Sequence, residues 1–256
     1  MTTTTPATTP AGMPAPPRRP VLDRPTAMRL AATEYERFLA QLRQLSSSDW
    51  NRPTECEAWD VRAMVGHVVG MAEMSASLPE QLKQMRAAGR AGGVFIDALT
   101  AIQVAKHAQD TPEQLVTRFA AIGPKAAKGR RRAPGVVRRR RMPQEQLIGG
   151  RTEAWTLGYL VDVILTRDTW MHRIDIARAV TLPTELSAGH DGVLVADVAA
   201  EWAQRHGQPC RLVLTGPAGG SFAFGTGGAE LSYDAVDFCR GLSDRGKPAL
   251  GQSVPF

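Results

Sequence analysis

Between residues 26 and 182, apolar side chains return every three to four positions in four separate stretches, and no other pattern in the chain limits its fold so strongly. That spacing gathers them on one stripe of an α-helix, and each stripe must then be covered by another element. Met28, Ala31, Tyr35, Phe38, Leu39, Leu42 and Leu45 mark the first stripe, which the serines at 46–48 end. Asp60, a side chain suited to an N-cap, precedes a second stripe of Val61, Met64, Val65, Val68 and Met71. A third helical stretch is expected over Ile96–Ile122, with Thr111-Pro112 as a place where it can break, and a fourth over Thr156–Val180. Four such helices with one long connection between the third and fourth predict a four-helix bundle over residues 26–182.

Beyond Pro183 and Gly189 the pattern changes. A helix is expected over His190–His206. Strands at Arg211–Thr215, Ser221–Phe224 and Ala229–Tyr233 should follow, and then a last helix, capped by Asp234, running to Leu242. The glycines of 216–228 lack the Gly-Lys-Ser/Thr ending of a phosphate loop and are read as hairpin turns. The fold class is therefore mainly α: a bundle followed by a small α+β domain over residues 189–256. At that size the second unit should lean on the bundle for its core. Residues 1–25, dominated by Thr, Pro and Ala, are expected to form a disordered tail.

Composition excludes several functions. Hydrophobic residues at 43% and charged residues at 22% are enough to build a core. The most apolar run, Leu157–Leu165, is broken by Asp162 and falls short of the roughly 18 residues of a membrane span. No apolar segment follows a basic start. The three cysteines, Cys56, Cys210 and Cys239, fit neither a disulfide framework nor a zinc ribbon, so a cytoplasmic setting is expected. The net charge of +6 comes from one strip, Lys125–Arg141, which holds nine bases and no acid. With Pro134 and Pro143, it is expected to be a loop flanked by short turns. Nucleic-acid binding through the strip is the weaker reading, because it has no aromatic residue for base stacking and no helix-turn-helix or zinc-finger spacing accompanies it. A solvated loop, or one packed against acids of a partner, is preferred, and capture of an anionic substrate lies between the two.

The informative anomaly is on the fourth helix. Its inward stripe runs through Leu157, Val161 and Ile164, then meets Asp168, Met171/His172, Asp175 and Ala179. Burying a polar group without a partner costs roughly 2–7 kcal/mol, so these ionisable groups need compensation. Asp168 and His172, four residues apart, lie on one helix face and can grip one ion together. His67 follows Met64 by three residues and precedes Met71 by four, which places it on or beside the second stripe. His67, Asp168 and His172 would offer three N/O ligands and leave positions open for water or substrate. With no cysteine ligand, zinc is favoured over nickel, iron or manganese. Spacing alone leaves two plainer readings standing: a histidine hydrogen-bonded in the core, and Asp168 paired with Arg167 or Arg173.

At these residues the chain resembles a known family. Leu45–His67, with Trp50, Pro53, Thr54, Cys56, Trp59 and His67 in order, resembles the N-terminal motif of the mycothiol-dependent maleylpyruvate isomerase family, which belongs to the DinB-like metal-binding bundles. Arg167–Arg178 resembles its second motif, an acid and a His four apart. Ala229–Arg245 resembles the C-terminal domain that accompanies the bundle in many actinobacterial members. The resemblance implies a DinB-like bundle with His67, Asp168 and His172 as ligands of a divalent metal, usually zinc, and mycothiol as the thiol cofactor. It implies a metal-bound thiolate that attacks an electrophilic small molecule, as an isomerase or an S-transferase. It further implies a catalytic arginine at Arg245 or the nearby Arg240. Asp175 would orient an imidazole, or else pair with Arg178. Two departures stand out: Asp168 where the isomerase pattern has Glu, and Leu-Ser-Asp-Arg where many relatives end in Gly-Arg. Cys56 is expected to be a small packing residue, since the chemistry needs no cysteine of the protein. The alternative on the same scaffold is a non-catalytic metal- or thiol-binding regulatory module.

Overall fold

The computed structural model describes residues 16–256. Its first helix, α1 (Arg24–Leu42), starts where Asp23 accepts a hydrogen bond from the Thr26 amide. Asp60 does the same for Ala63 at the head of α2 (Val61–Ala76), whose Val61, Met64, Val65, Val68 and Val69 are all fully buried. The first 15 residues of the expected tail lie outside the described residues. The part from residue 16 onward is not loose: Arg18 donates from its amide to Ala154 O, accepts from the Thr156 amide and pairs with Glu153.

The region between α2 and the last bundle helix departs most from the sequence reading. A helix that periodicity does not reveal, α3 (Leu78–Ala91), forms a hairpin with α4 (Phe95–His107) against α2. The hairpin approaches closely because Gly70 has no side chain: a Cβ there would lie 2.7 Å from that of Gln103. The expected third helix is two helices. Thr111 breaks it with a reciprocal capping box to Gln114, and α5 (Pro112–Arg132) begins there. α5 then continues through Pro124 into the basic strip, so Lys125–Arg132 is helical and not loop. Arg130 explains part of this. It is buried and donates to Val161 O, Tyr35 Oη and Thr166 Oγ1. Arg138, in the short α6 (Gly135–Arg138), pairs with buried Asp162, and Arg141 pairs with Glu145. The strip is thus divided between structural arginines and an exposed face.

A small hairpin, β1 (Gln146–Ile148) and β2 (Arg151–Glu153), leads into a single rod made of α7 (Leu157–Tyr159), a π-helical turn (Leu160–Ile164) and α8 (Leu165–Val180). α1, α2, α5 and α8 form the four-helix bundle. The C-terminal unit comprises α9 (Val193–His206), β3 (Cys210–Thr215), β4 (Gly220–Phe224), β5 (Ala229–Asp234) and α10 (Ala235–Leu242). Its sheet order is β4-β3-β5, with β3 antiparallel to β4 and parallel to β5. The second Gly-rich connection is therefore not a hairpin. It passes the start of β3 so closely that a Cβ on Gly228 would sit 1.8 Å from Pro209 O.

The two units share one core. Trp170, Met171 and Ile174 of α8 and Leu30 of α1 pack with Trp202, Leu212, Phe238 and Leu242. α8 is thus covered on both sides, and its charges must find partners. Arg173 holds Glu34 of α1 and Asp191, just before α9. Arg167 holds Asp197 and Glu201 of α9. Among the described residues, no helix is long and apolar enough to cross a membrane.

Candidate metal centre

The π-helical turn and α8 carry Asp168 and His172 one turn apart to the face that meets α2, where His67 is buried. Asp168 Oδ2 lies 3.4 Å from His67 Nε2 and Oδ1 lies 3.5 Å from His172 Nε2. Donor atoms of the three residues fall within 4.8 Å of one another. Arg167 and Arg173 are both engaged elsewhere, so the pairing of Asp168 with either does not occur. The two imidazoles meet edge to face at 89°, and Trp59 lies 5.3 Å from His67 and 5.8 Å from His172, shielding one side.

Burial alone would raise the Asp168 carboxyl, yet the charges of His172 and His67 hold it far below the usual range. The His172 ring is opposed by its burial, but Asp168 and Asp175 outweigh this and push it up to about 9. Asp168 Oδ2 and His67 Nδ1 are buried atoms without a hydrogen-bond partner. Native interiors rarely leave such atoms unsatisfied unless an ion or water completes them.

Asp175 sits behind His172, fully buried, with Oδ2 3.2 Å from Nδ1. A carboxylate can only accept, so Nδ1 carries the proton and Nε2 is left to face the cluster. Arg245, from the loop after α10, clamps Asp175 through Nε at 2.7 Å and Nη2 at 2.6 Å. Arg178 pairs instead with Glu55. Arg240 is not in the centre: it holds Glu55 and Asp237 nearer the surface. Cys56 is more than a distant packing residue. Its Sγ lies 3.7 Å from Arg245 Nη2 and belongs to a second convergent set with His172 and Asp175. Burial raises its thiol above the ordinary value despite Arg245. The approach of Arg245 to Cys56 depends on α10 and its following loop meeting the loop before α2, where Arg240 also holds Glu55, and sequence spacing carries no sign of that.

The cluster opens on a cavity of about 430 Å³ between α2, α4, the β1–β2 hairpin and the C-terminal residues 253–256. Of its apolar wall the sequence placed Met71, Leu157 and Ile164 on inward stripes but gave no sign of the cavity, because α3 and α4 do not read as separate helices and the last residues have no periodicity.

Residues 31–177 match the family described as the mycothiol maleylpyruvate isomerase N-terminal domain. A crystal structure of the mycothiol-dependent maleylpyruvate isomerase superposes with a TM-score of 0.53 at 19% identity, covering 88% of this chain and 90% of that one. A histidine-to-alanine mutant of that isomerase gives 0.53 at 17% identity, covering 91% and 95%. No curated protein matches the chain. At these identities the structures show a common fold.

Proposed function

The chain belongs to the mycothiol maleylpyruvate isomerase N-terminal domain family, and from that membership and the donor set of His67, Asp168 and His172 we propose a metal-dependent, mycothiol-using isomerase or S-transferase acting on an electrophilic small molecule. The observation that carries this reading is the convergence of three N/O donors, with Asp168 Oδ2 and His67 Nδ1 unsatisfied, at the wall of a cavity. These residues fit a divalent cation, and a set of two imidazoles and one carboxylate suits zinc with positions left open. Asp168, although shorter than Glu, comes within 3.5 Å of both imidazoles. A bound divalent cation supplies Lewis acidity that favours the thiolate form of a thiol beside it.

The remaining work falls to the protein's own groups. Asp175 fixes the His172 tautomer, and Arg245 holds Asp175 in place against its own burial. Trp59 covers the imidazoles from one side. The apolar wall excludes water from the reacting carbon, which strengthens every charge interaction nearby. Arg245 touches the centre through Asp175 and so acts as a positioning residue.

The test is elemental analysis of untagged protein, followed by mycothiol consumption with an electrophile panel. About one zinc per chain is expected in the wild type, lost in His67→Ala and Asp168→Ala, together with thiol consumption. A folded wild type that stays metal-free after dialysis against zinc would sink the proposal and leave the regulatory-module reading.

A further inference from the structure

Among the described residues, Arg245 is the one Lys or Arg side chain lining the cavity, and its guanidinium is already bonded to Asp175. The acids in the lining are Asp97, Asp168 and Asp244. A small dicarboxylate brought here could offer one carboxylate to a cation held by His67, Asp168 and His172, but its second would lose water and find no free arginine or lysine to replace it. Uncompensated charge of that kind is strongly disfavoured. Most of the remaining wall is apolar, with Met74, Phe95, Leu99, Trp155, Leu160 and Phe256 as representatives, and apart from His67 at the metal centre its other polar side chains, Gln81, Gln103 and Gln146 among them, carry no charge. At its edge Val94 and Leu147 are 55% and 66% exposed, although large apolar side chains in soluble proteins tend to be covered. The basic strip does not supply the missing cations, because none of Lys125–Arg141 lines the cavity.

We infer that the cavity selects an electrophile with an apolar body, such as a conjugated ketone bearing an aryl or alkyl group, over a small dicarboxylate. This rests on the thiol-using reading of the metal centre and narrows its substrate class. With a conjugated ketone the step balances without a further reactant. The thiol sulfur bonds to the β-carbon, the carbon–carbon π bond opens, and the thiol hydrogen ends on the α-carbon. An isomerase would reverse the addition after rotation about the new single bond. In a transferase the adduct is the product.

The first measurement is binding, which needs no turnover. The full chain, loaded with zinc, is titrated calorimetrically with 4-phenylbutan-2-one, an unreactive apolar ketone, and separately with glutarate. The ketone should bind at least about tenfold more tightly, because the second carboxylate of the dianion must surrender its water unpaired while the apolar body of the ketone is covered by the wall. Phe95, half-buried at the start of α4, allows a second comparison. Phe95→Arg should weaken the ketone at least about tenfold and strengthen glutarate, while Phe95→Leu should hold the ketone within about threefold. Glutarate binding as tightly as the ketone, or no ketone binding at all, overturns the inference; so does a Phe95→Arg variant indistinguishable from wild type for both ligands. Mycothiol consumption with 4-phenylbut-3-en-2-one is then measured separately. Ketone selectivity without thiol consumption supports the cavity's preference and refutes the thiol-using reading. Faster thiol consumption with a dicarboxylate electrophile than with the aryl ketone does the reverse.

Discussion

Replacing Arg245 by Met separates the metal centre from the C-terminal unit that props it. The Asp175 side chain is completely buried, and Arg245 provides two charge-assisted hydrogen bonds to it at 2.7 and 2.6 Å. Removing one partner of a buried ion pair costs about 3–5 kcal/mol because the other charge is stranded. Here the Arg245 side chain is 13% exposed, so water can enter the space it leaves, and His172 Nδ1 remains 3.2 Å from Asp175. Those two features place the expected loss at the lower end, about 3 kcal/mol. The decisive readout is zinc affinity. An Asp175 no longer held against His172 should weaken binding by about 10–100-fold, the usual effect of losing a group that orients a metal-bound imidazole. Zinc competition with a chromogenic chelator measures this, and urea unfolding of the metal-free protein measures stability. Arg240→Met is the control: its pairs with Glu55 and Asp237 lie at the surface, so it should change stability by less than about 1 kcal/mol and leave zinc affinity alone. If Arg245→Met lost stability yet bound zinc as the wild type does, Arg245 would be structural only and the positioning argument wrong. Equal effects from Arg240→Met would refute it too.

Arg173→Met takes away the cation that Glu34 and Asp191 share in the core joining the bundle to the C-terminal unit; because His190 still pairs with Glu34 and Arg37 with Asp191, urea unfolding should show a loss at the lower end, about 3 kcal/mol, and a change under about 1 kcal/mol would contradict the network. Glu73 has its carboxyl drawn down to about 2, since His107 and Lys106 outweigh its burial. Its stabilisation is therefore complete above the unfolded value near 4.5 and disappears as pH falls toward 2, up to about 3 kcal/mol, so Glu73→Gln should flatten acid unfolding across that window. His107 has the opposite sign. The acids outweigh its burial and raise its pKa, so its share is present below the unfolded value of about 6.5 and fades as pH rises through the folded one, which His107→Gln should abolish in a pH series of melts. Gly70→Ala places a methyl 2.7 Å from Gln103 Cβ and should cost about 1–3 kcal/mol by forcing the α3–α4 hairpin off α2; an unchanged melting temperature would mean the hairpin yields freely.

The parts of the fold legible in the sequence are those with local causes. α1, α2 and α8 follow from apolar residues at helical spacing, and the start of α2 at Asp60 follows from capping chemistry confined to one turn, whereas the cap of α1 at Asp23 falls inside the stretch expected to be tail. α3 was not legible because Leu78 and Leu82 stay exposed and its buried residues are only Ala88 and the polar Gln84, which donates to Gly70 O and accepts from Gln103. The end of α5 was misread for a related reason. Pro134 and Pro143 argue for loop across the whole strip, whereas burial of Arg130 against Tyr35, Thr166 and Val161 keeps Lys125–Arg132 helical.

The candidate site divides in the same way. The pairing of Asp168 with His172 was determined by the sequence alone, because residues four apart on a helix share a face whatever surrounds them. So was the placement of His67 among the apolar positions of α2. That α2 and α8 face each other at those positions was decided by packing, as was the placing of Arg245 and Cys56 around Asp175. Backbone hydrogen bonds reach only four residues along a helix and so leave their mark in spacing. Partners between Cys56, Asp175 and Arg245 are chosen by which buried faces and charges complement each other once the C-terminal unit covers α8, and nothing in the spacing of one segment records the shape of another.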